Sequence, residues 1–328
     1  MNAWLQLVIC LFWSLPAVSQ SGGGQLAWPD PPERARIRHI VTISSPSFVE
    51  SRSGFFGKIS SFLFGDEVAP PWLVQPVGVA VTSKNLILVT DPGAKGVHIL
   101  NLAEKNYKFL ASTKFGSFDS PVGVACAPDG SVFISDSRMG VIVKLDDDFD
   151  GVSIIKEHLQ RPTGLCVAGE RLYVADALQH KILCYTLDGS FIAEYGGRGS
   201  DVGQFNYPIS IAHGDSFYVV DALNYRVQML DPFFRNGGSF GSQGNAIGRF
   251  SSPKSVAVDS DGDIYVTDAL LDDFQIFSRA GELLLAVGRK GEKDGEFLSP
   301  GGIAIDKSDQ IYIVDTLNKR LQIFQYMK

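Results

Sequence analysis

An all-β fold of six antiparallel meanders around a central channel is what the sequence predicts, on three observations. The first is the stretch SPKSVAVDSDGDIYVTDALLDDFQIF at residues 252–277. Residues 256–258 are a short apolar strand, 259–262 a tight turn, 264–267 an alternating second strand, and 274–277 the start of a third. The second is that this unit returns from Gln75, Ser120, Arg161, Tyr207 and Ser299, its prolines (Pro76, Pro121, Pro162, Pro208, Pro253, Pro300) lying 41 to 47 residues apart. The third is an aspartate 13 to 15 residues after each proline: Asp91, Asp136, Asp176, Asp221, Asp268 and Asp315. Six units of that period match the four-stranded blades of a six-bladed β-propeller.

Taken in order, MNAWLQLVICLFWSLPAVSQSGGG opens with an apolar run from Trp4 to Val18, and Ala17 and Ser19 are small residues ahead of a cut before Gln20. Residues 1–19 are therefore read as a signal peptide, and the chain as exported, periplasmic or extracellular. No Lys or Arg precedes the run, so retention as an uncleaved anchor stays open. Residues 20–34 are a Gly- and Pro-rich linker, and 35–328 the propeller. The last repeat has its third strand at 321–326, so the strand-like residues 35–44 are expected to supply its outer strand and close the ring.

An insertion, residues 45–72, precedes the first repeat. Phe55, Phe56, Ile59, Phe62 and Leu63 have helical spacing, with Ser53 as N-cap and Gly65 as stop. Its apolar side chains, Phe55, Phe56, Phe62 and Trp72 among them, are expected to dock a protein partner beside the channel mouth; a plug packed into the propeller and a peripheral membrane contact are the alternatives. Within the repeats, a bulky apolar residue stands three before each proline (Leu73, Phe118, Leu159, Phe205, Phe250, Phe297) and is expected to wedge between blades. The six repeat aspartates are expected to be structural, accepting backbone N–H groups of their own turn or of the neighbouring Pro-x-Gly segment.

The order P-x-G-hydrophobic-A, hydrophobic-Y-V-x-D, L-N-x-R-hydrophobic-Q resembles the NHL repeat over residues 75–328. It is clearest in VVDALNYRVQML from Val219 and IVDTLNKRLQIF from Ile313; the first repeat departs most, with Pro-Gly-Ala-Lys after Asp91. The resemblance implies a six-bladed propeller and extends to bacterial exported NHL-repeat proteins, some found beside multihaem c-type cytochromes. It thereby implies a protein partner in an envelope or cytochrome-associated complex. NHL domains of tripartite-motif proteins bind RNA through a basic face. That role does not carry over, because 29 Lys and Arg face 36 Asp and Glu, and no basic run supplies a footprint for phosphates.

The inner strands, PVGVAV, PVGVAC, PTGLCV, PISIAH, PKSVAV and PGGIAI, offer His213 and Lys254 as their only charged or imidazole groups. A converging metal-ligand set cannot be assembled from them. A non-catalytic scaffold for protein–protein interaction is the first reading, with no catalytic or cofactor-binding residue assigned. A metal-dependent hydrolase or lyase of the lactonase-propeller type is the alternative. Away from the channel, Asp146, Asp148, Asp150, Gly151 and Glu157 match the calcium-loop spacing D-x-D-x-D-G-x5-E, and the segment is either a calcium site or an acidic hairpin turn. Removal of the signal, which carries Cys10, leaves Cys126, Cys166 and Cys184, odd in number and forming no CxxC, so free buried thiols are expected.

Overall fold

A computed structural model describes residues 26–48, 72–235 and 237–328. Residues 1–19, expected to be a signal peptide, and Phe55, Phe56 and Phe62 of the insertion lie outside the described residues. Five antiparallel sheets of four strands each follow one another along the chain. Blade I holds Gly78–Val81, Ile87–Asp91, Gly96–Asn101 and Asn106–Leu110, and blade II holds Pro121–Cys126, Val132–Asp136, Val141–Leu145 and Gly151–Ile155. Blade III is Pro162–Ala168, Arg171–Asp176, Lys181–Thr186 and Phe191–Gly196, and blade IV is Pro208–His213, Phe217–Asp221, Arg226–Leu230 and Gly237–Phe240. Blade V is Pro253–Val258, Ile264–Asp268, Asp273–Phe277 and Leu283–Val287.

Blade VI joins the two ends of the chain. Pro300–Ile305, Gln310–Asp315 and Arg320–Tyr326 are its inner three strands, and Ile37–Ile43 is the fourth. Ile37 lies opposite Tyr326 and Ile43 opposite Leu321, and both isoleucines are fully buried. The expected ring closure is therefore present. One part of the 20–34 linker does more than link. Ala27–Trp28 pairs with Arg38 and Ile37 as a fifth, edge strand, and the Trp28 ring stands 5.9 Å from that of Phe324. A Pro-rich stretch reads as unpaired, but Trp28 brings an apolar face to an edge that would otherwise stay open.

The hydrophobic core is divided into wedges between blades rather than one centre. Leu73 packs among residues of blades VI and I, Phe118 between I and II, Leu159 between II and III, Phe205 between III and IV, Phe250 between IV and V, and Phe297 between V and VI. The three thiols are unpaired. Burial pushes Cys126 and Cys166 up to about 12, which keeps both protonated and unreactive.

Around the channel the blades are stitched by side-chain hydroxyls. Thr90 donates to the Val122 carbonyl (2.7 Å), Ser135 to Thr163 (2.6 Å), Thr267 to Gly301 (2.6 Å) and Thr316 to Pro76 (2.8 Å); Thr163 shares its proton between Ala175 of its own blade (2.9 Å) and Pro208 of the next (3.3 Å), while Ser210 and Ser255 pair with each other at 3.3 Å. Every junction of the ring carries one such bond. The glycine of Pro-x-Gly makes the approach possible. A β-carbon on Gly123 would overlap the Thr163 carbonyl oxygen and sit 2.6 Å from the Ser135 hydroxyl. Gly123→Ala is therefore expected to cost about 3 kcal/mol or more, as overpacking against backbone does, and to lower the melting temperature measured by calorimetry.

Candidate functional site

The loops entering the inner strands and the turns after the second strands share one face, because each repeat aspartate clamps both. Asp136 accepts N–H groups of Asp119 and Ser120 before its proline and of Met139 in its turn; Asp176 does the same with Gln160, Arg161 and Gln179. Asp268 takes Ser251, Ser252, Leu270 and Leu271. All six aspartates are fully buried. Burial, the largest influence on Asp91, pushes its carboxyl up. Donors from His98, Ala94, Gln75 and Val74 together outweigh it and hold the group below the ordinary carboxylate range.

Blades IV and VI add a cationic clip. Arg226 Nε donates to Asp221 at 2.9 Å and Arg320 Nε to Asp315 at 2.7 Å, and their guanidinium ends reach loop carbonyls of Asp201 and Gln204, and of Glu292, Lys293 and Glu296. Gln228 and Gln322, two residues on, hold the same loops and the same aspartates. In blade I His98 occupies the glutamine position and its Nε2 lies 3.3 Å from Asp91. Blade V breaks the pattern. Leu271 stands where blades IV and VI have Asn224 and Asn318, and Asp273 where they have Arg226 and Arg320, directly opposite Asp268. The Asp273 Oδ1 atom is buried with no hydrogen-bond partner among the described residues.

A β-bulge places the middle residue of Pro-x-Gly toward the axis. In blade V Pro253 pairs with Asp268 and Ser255 with Thr267, so Lys254 is skipped by the ladder; Val122 and Ile209 are skipped in the same way. These residues line a channel cavity of about 400 Å³ together with Val77, Thr163 and Gly301. Among the described residues Lys254 is its single charged lining residue; it is open to the channel, and partial desolvation by the walls lowers its ammonium from the ordinary range despite the Asp268 carboxylate. His213, the other candidate on the inner strands, lies instead in an open groove of about 570 Å³ between blades III and IV, on the opposite face.

Around the channel mouth four blades present leucine two residues after the repeat aspartate: Leu178, Leu223, Leu270 and Leu317, each between 53 and 71 % exposed. Blades I and II carry Gly93 and Arg138 there. The arc therefore spans blades III to VI. Trp72, at the end of the insertion, is half-buried with its ring 5.5 Å from Tyr107 and 6.0 Å from His98.

The acidic stretch of blade II is a turn in this structure. Asp146 Oδ1 accepts the N–H groups of Asp148 (3.1 Å) and Asp150 (2.8 Å), and the neighbouring Asp147 pairs with Lys84. Glu157 follows the outer strand Gly151–Ile155, and its carbonyl receives the Tyr185 hydroxyl. Among the described residues no group of three or more His, Cys, Asp or Glu is placed to hold a metal ion. Sequence reading did not single out the hydroxyl ring, the bulge that aims Lys254, or the leucine arc. The arc had a signal: DAL, DAL, DAL and DTL recur after the second strands of four repeats.

A sequence-family profile described as a 6-bladed beta-propeller matches residues 250–326. No curated protein matches the chain. Among solved structures, a structural genomics protein of unknown function from Bacteroides thetaiotaomicron is 14% identical, with 89% of this chain and 76% of that one covered and a TM-score of 0.62. Virginiamycin B lyase from Staphylococcus aureus is also 14% identical, covering 77% and 95%, with a TM-score of 0.55. Kuenenia stuttgartiensis hydrazine synthase is 10% identical over 79% and 97%, with a TM-score of 0.56. At these identities the likeness is one of fold, and the chain is a six-bladed β-propeller.

Proposed function

We propose that this chain is an exported, non-catalytic propeller of the NHL type that docks a protein partner on its channel face, within an envelope or cytochrome-associated complex. The observation that carries this reading is the leucine arc. Four large apolar side chains more than half exposed at one repeated turn form a contact surface, since leucines left in water gain nothing for the fold itself. The repeat aspartates support it, because each already has structural partners.

A variant carrying Leu178→Ser, Leu223→Ser, Leu270→Ser and Leu317→Ser tests the reading against wild type. Recovery of the protein that co-purifies with wild type under native conditions is expected to fall at least tenfold, with the melting temperature nearly unchanged. Equal recovery by both proteins rejects the arc as the docking surface. A stoichiometric metal in the channel, together with turnover in a panel of lactones and esters, would replace the scaffold reading by a metal-dependent hydrolase or lyase.

A further inference from the structure

We propose that the channel is a binding site for a small organic monocarboxylate, held by Lys254 with its apolar body against Val77, Val122 and Ile209. This goes beyond the docking of a protein partner, because the channel lining is distinct from the leucine arc. Four observations carry it. The cavity of about 400 Å³ has room for a small ligand and is walled mainly by aliphatic side chains and backbone. Lys254 is open to the channel and makes no hydrogen bond or ion pair among the described residues, which leaves its ammonium free to meet an anion entering the cavity. The β-bulge aims this one cation at the axis, where four other blades present Val77, Val122, Ile209 and Gly301.

The fourth observation concerns the serine pair beside Lys254. At the other junctions a hydroxyl donates to a carbonyl, which consumes its proton. Ser210 and Ser255 share one bond between two hydroxyls, and Ser210 Oγ also accepts the Val256 N–H. Two protons and one mutual bond leave one hydroxyl proton without an acceptor among the described residues, on a side chain that lines the cavity. The ammonium and this hydroxyl line the same cavity, and together they offer donors to the two oxygens of a carboxylate.

Calorimetric titration of the full chain at pH 7 with hexanoate and 4-phenylbutyrate, and with their primary amides, tests the site. Wild type is expected to bind at least one acid, and to bind it at least tenfold more tightly than the matching amide. Lys254→Met keeps the length of the side chain and removes the charge; it is expected to weaken the acid at least tenfold while leaving amide binding and the melting temperature unchanged. Lys254→Arg is expected to restore part of the affinity. Equal affinity of wild type and Lys254→Met for the acids, equal affinity for acid and amide, or no binding of either acid overturns the proposal.

Discussion

Removal of residues 26–43 is expected to leave no soluble monomer. The deletion strips the ladder from Arg320–Tyr326 and takes out Ile37 and Ile43, both fully buried, so blade VI would end on an unpaired strand flanked by apolar residues. A milder form separates packing from pairing. Ile37→Ala with Ile43→Ala keeps the strand and removes two core side chains, at about 2–5 kcal/mol each. Light scattering after gel filtration is expected to show aggregate for the deletion, and calorimetry a large fall in melting temperature for the double variant. A monomeric deletion variant with unchanged circular dichroism and a cooperative melt would show that the ring does not need its seam.

Asp273→Asn is expected to stabilise the protein at pH 8 by about 2 kcal/mol and to change little at pH 4. Burial first, then the carboxylates of Asp268 and Asp272, push the Asp273 carboxyl from its ordinary 3.8 up to about 7. Between those two values the unfolded chain releases a proton that the folded chain keeps. The contribution of Asp273 to stability is thus intact below pH 4, falls as pH rises to about 7, and is flat beyond. The difference is at most about 4 kcal/mol, of which about half is expected once the site relaxes. Calorimetry of both proteins across pH 4 to 8 checks it, and a pH-independent difference would show that Asp273 is ionised throughout. Asp273→Arg, which restores the residue that clips blades IV and VI, is expected to gain at least as much.

The fold was legible because its signals repeat. Six prolines, six aspartates and six bulky residues at nearly constant offsets set the number and size of blades, and Pro-x-Gly marks where neighbouring strands crowd at the axis. The outer strand at residues 37–43 was legible through its apolar pattern and the need of the last repeat for a fourth strand. What sits at the site was less visible. A bulge moves one side chain to another wall without changing composition, so Lys254 reads like any strand lysine until its ladder is drawn. Asp146, Asp148 and Asp150 have the spacing of a cation loop, and what the spacing alone did not show is that backbone N–H groups two and four residues on bond Asp146 Oδ1 in a turn. Trp28 was hidden among prolines, since pairing at an edge depends on which face a partner strand leaves open.

The joining of distant segments in blade VI also bears on the order of events during synthesis. Arg34 Nη2 donates to the Lys328 carbonyl at 2.6 Å across 294 residues of sequence, whereas every other blade is built from contiguous chain. A ribosome adding ~5–20 residues per second needs roughly 15–60 s to deliver the second partner after the first. For that interval Ile37 and Ile43 have no strand to cover them, so the nascent chain is most exposed to chaperones and proteases at the segment it makes early. Because Arg34 and Lys328 meet, a short linker could join these ends and new termini could be cut between two blades. The waiting strand would then emerge directly after its partner, and the vulnerable interval would shrink to seconds.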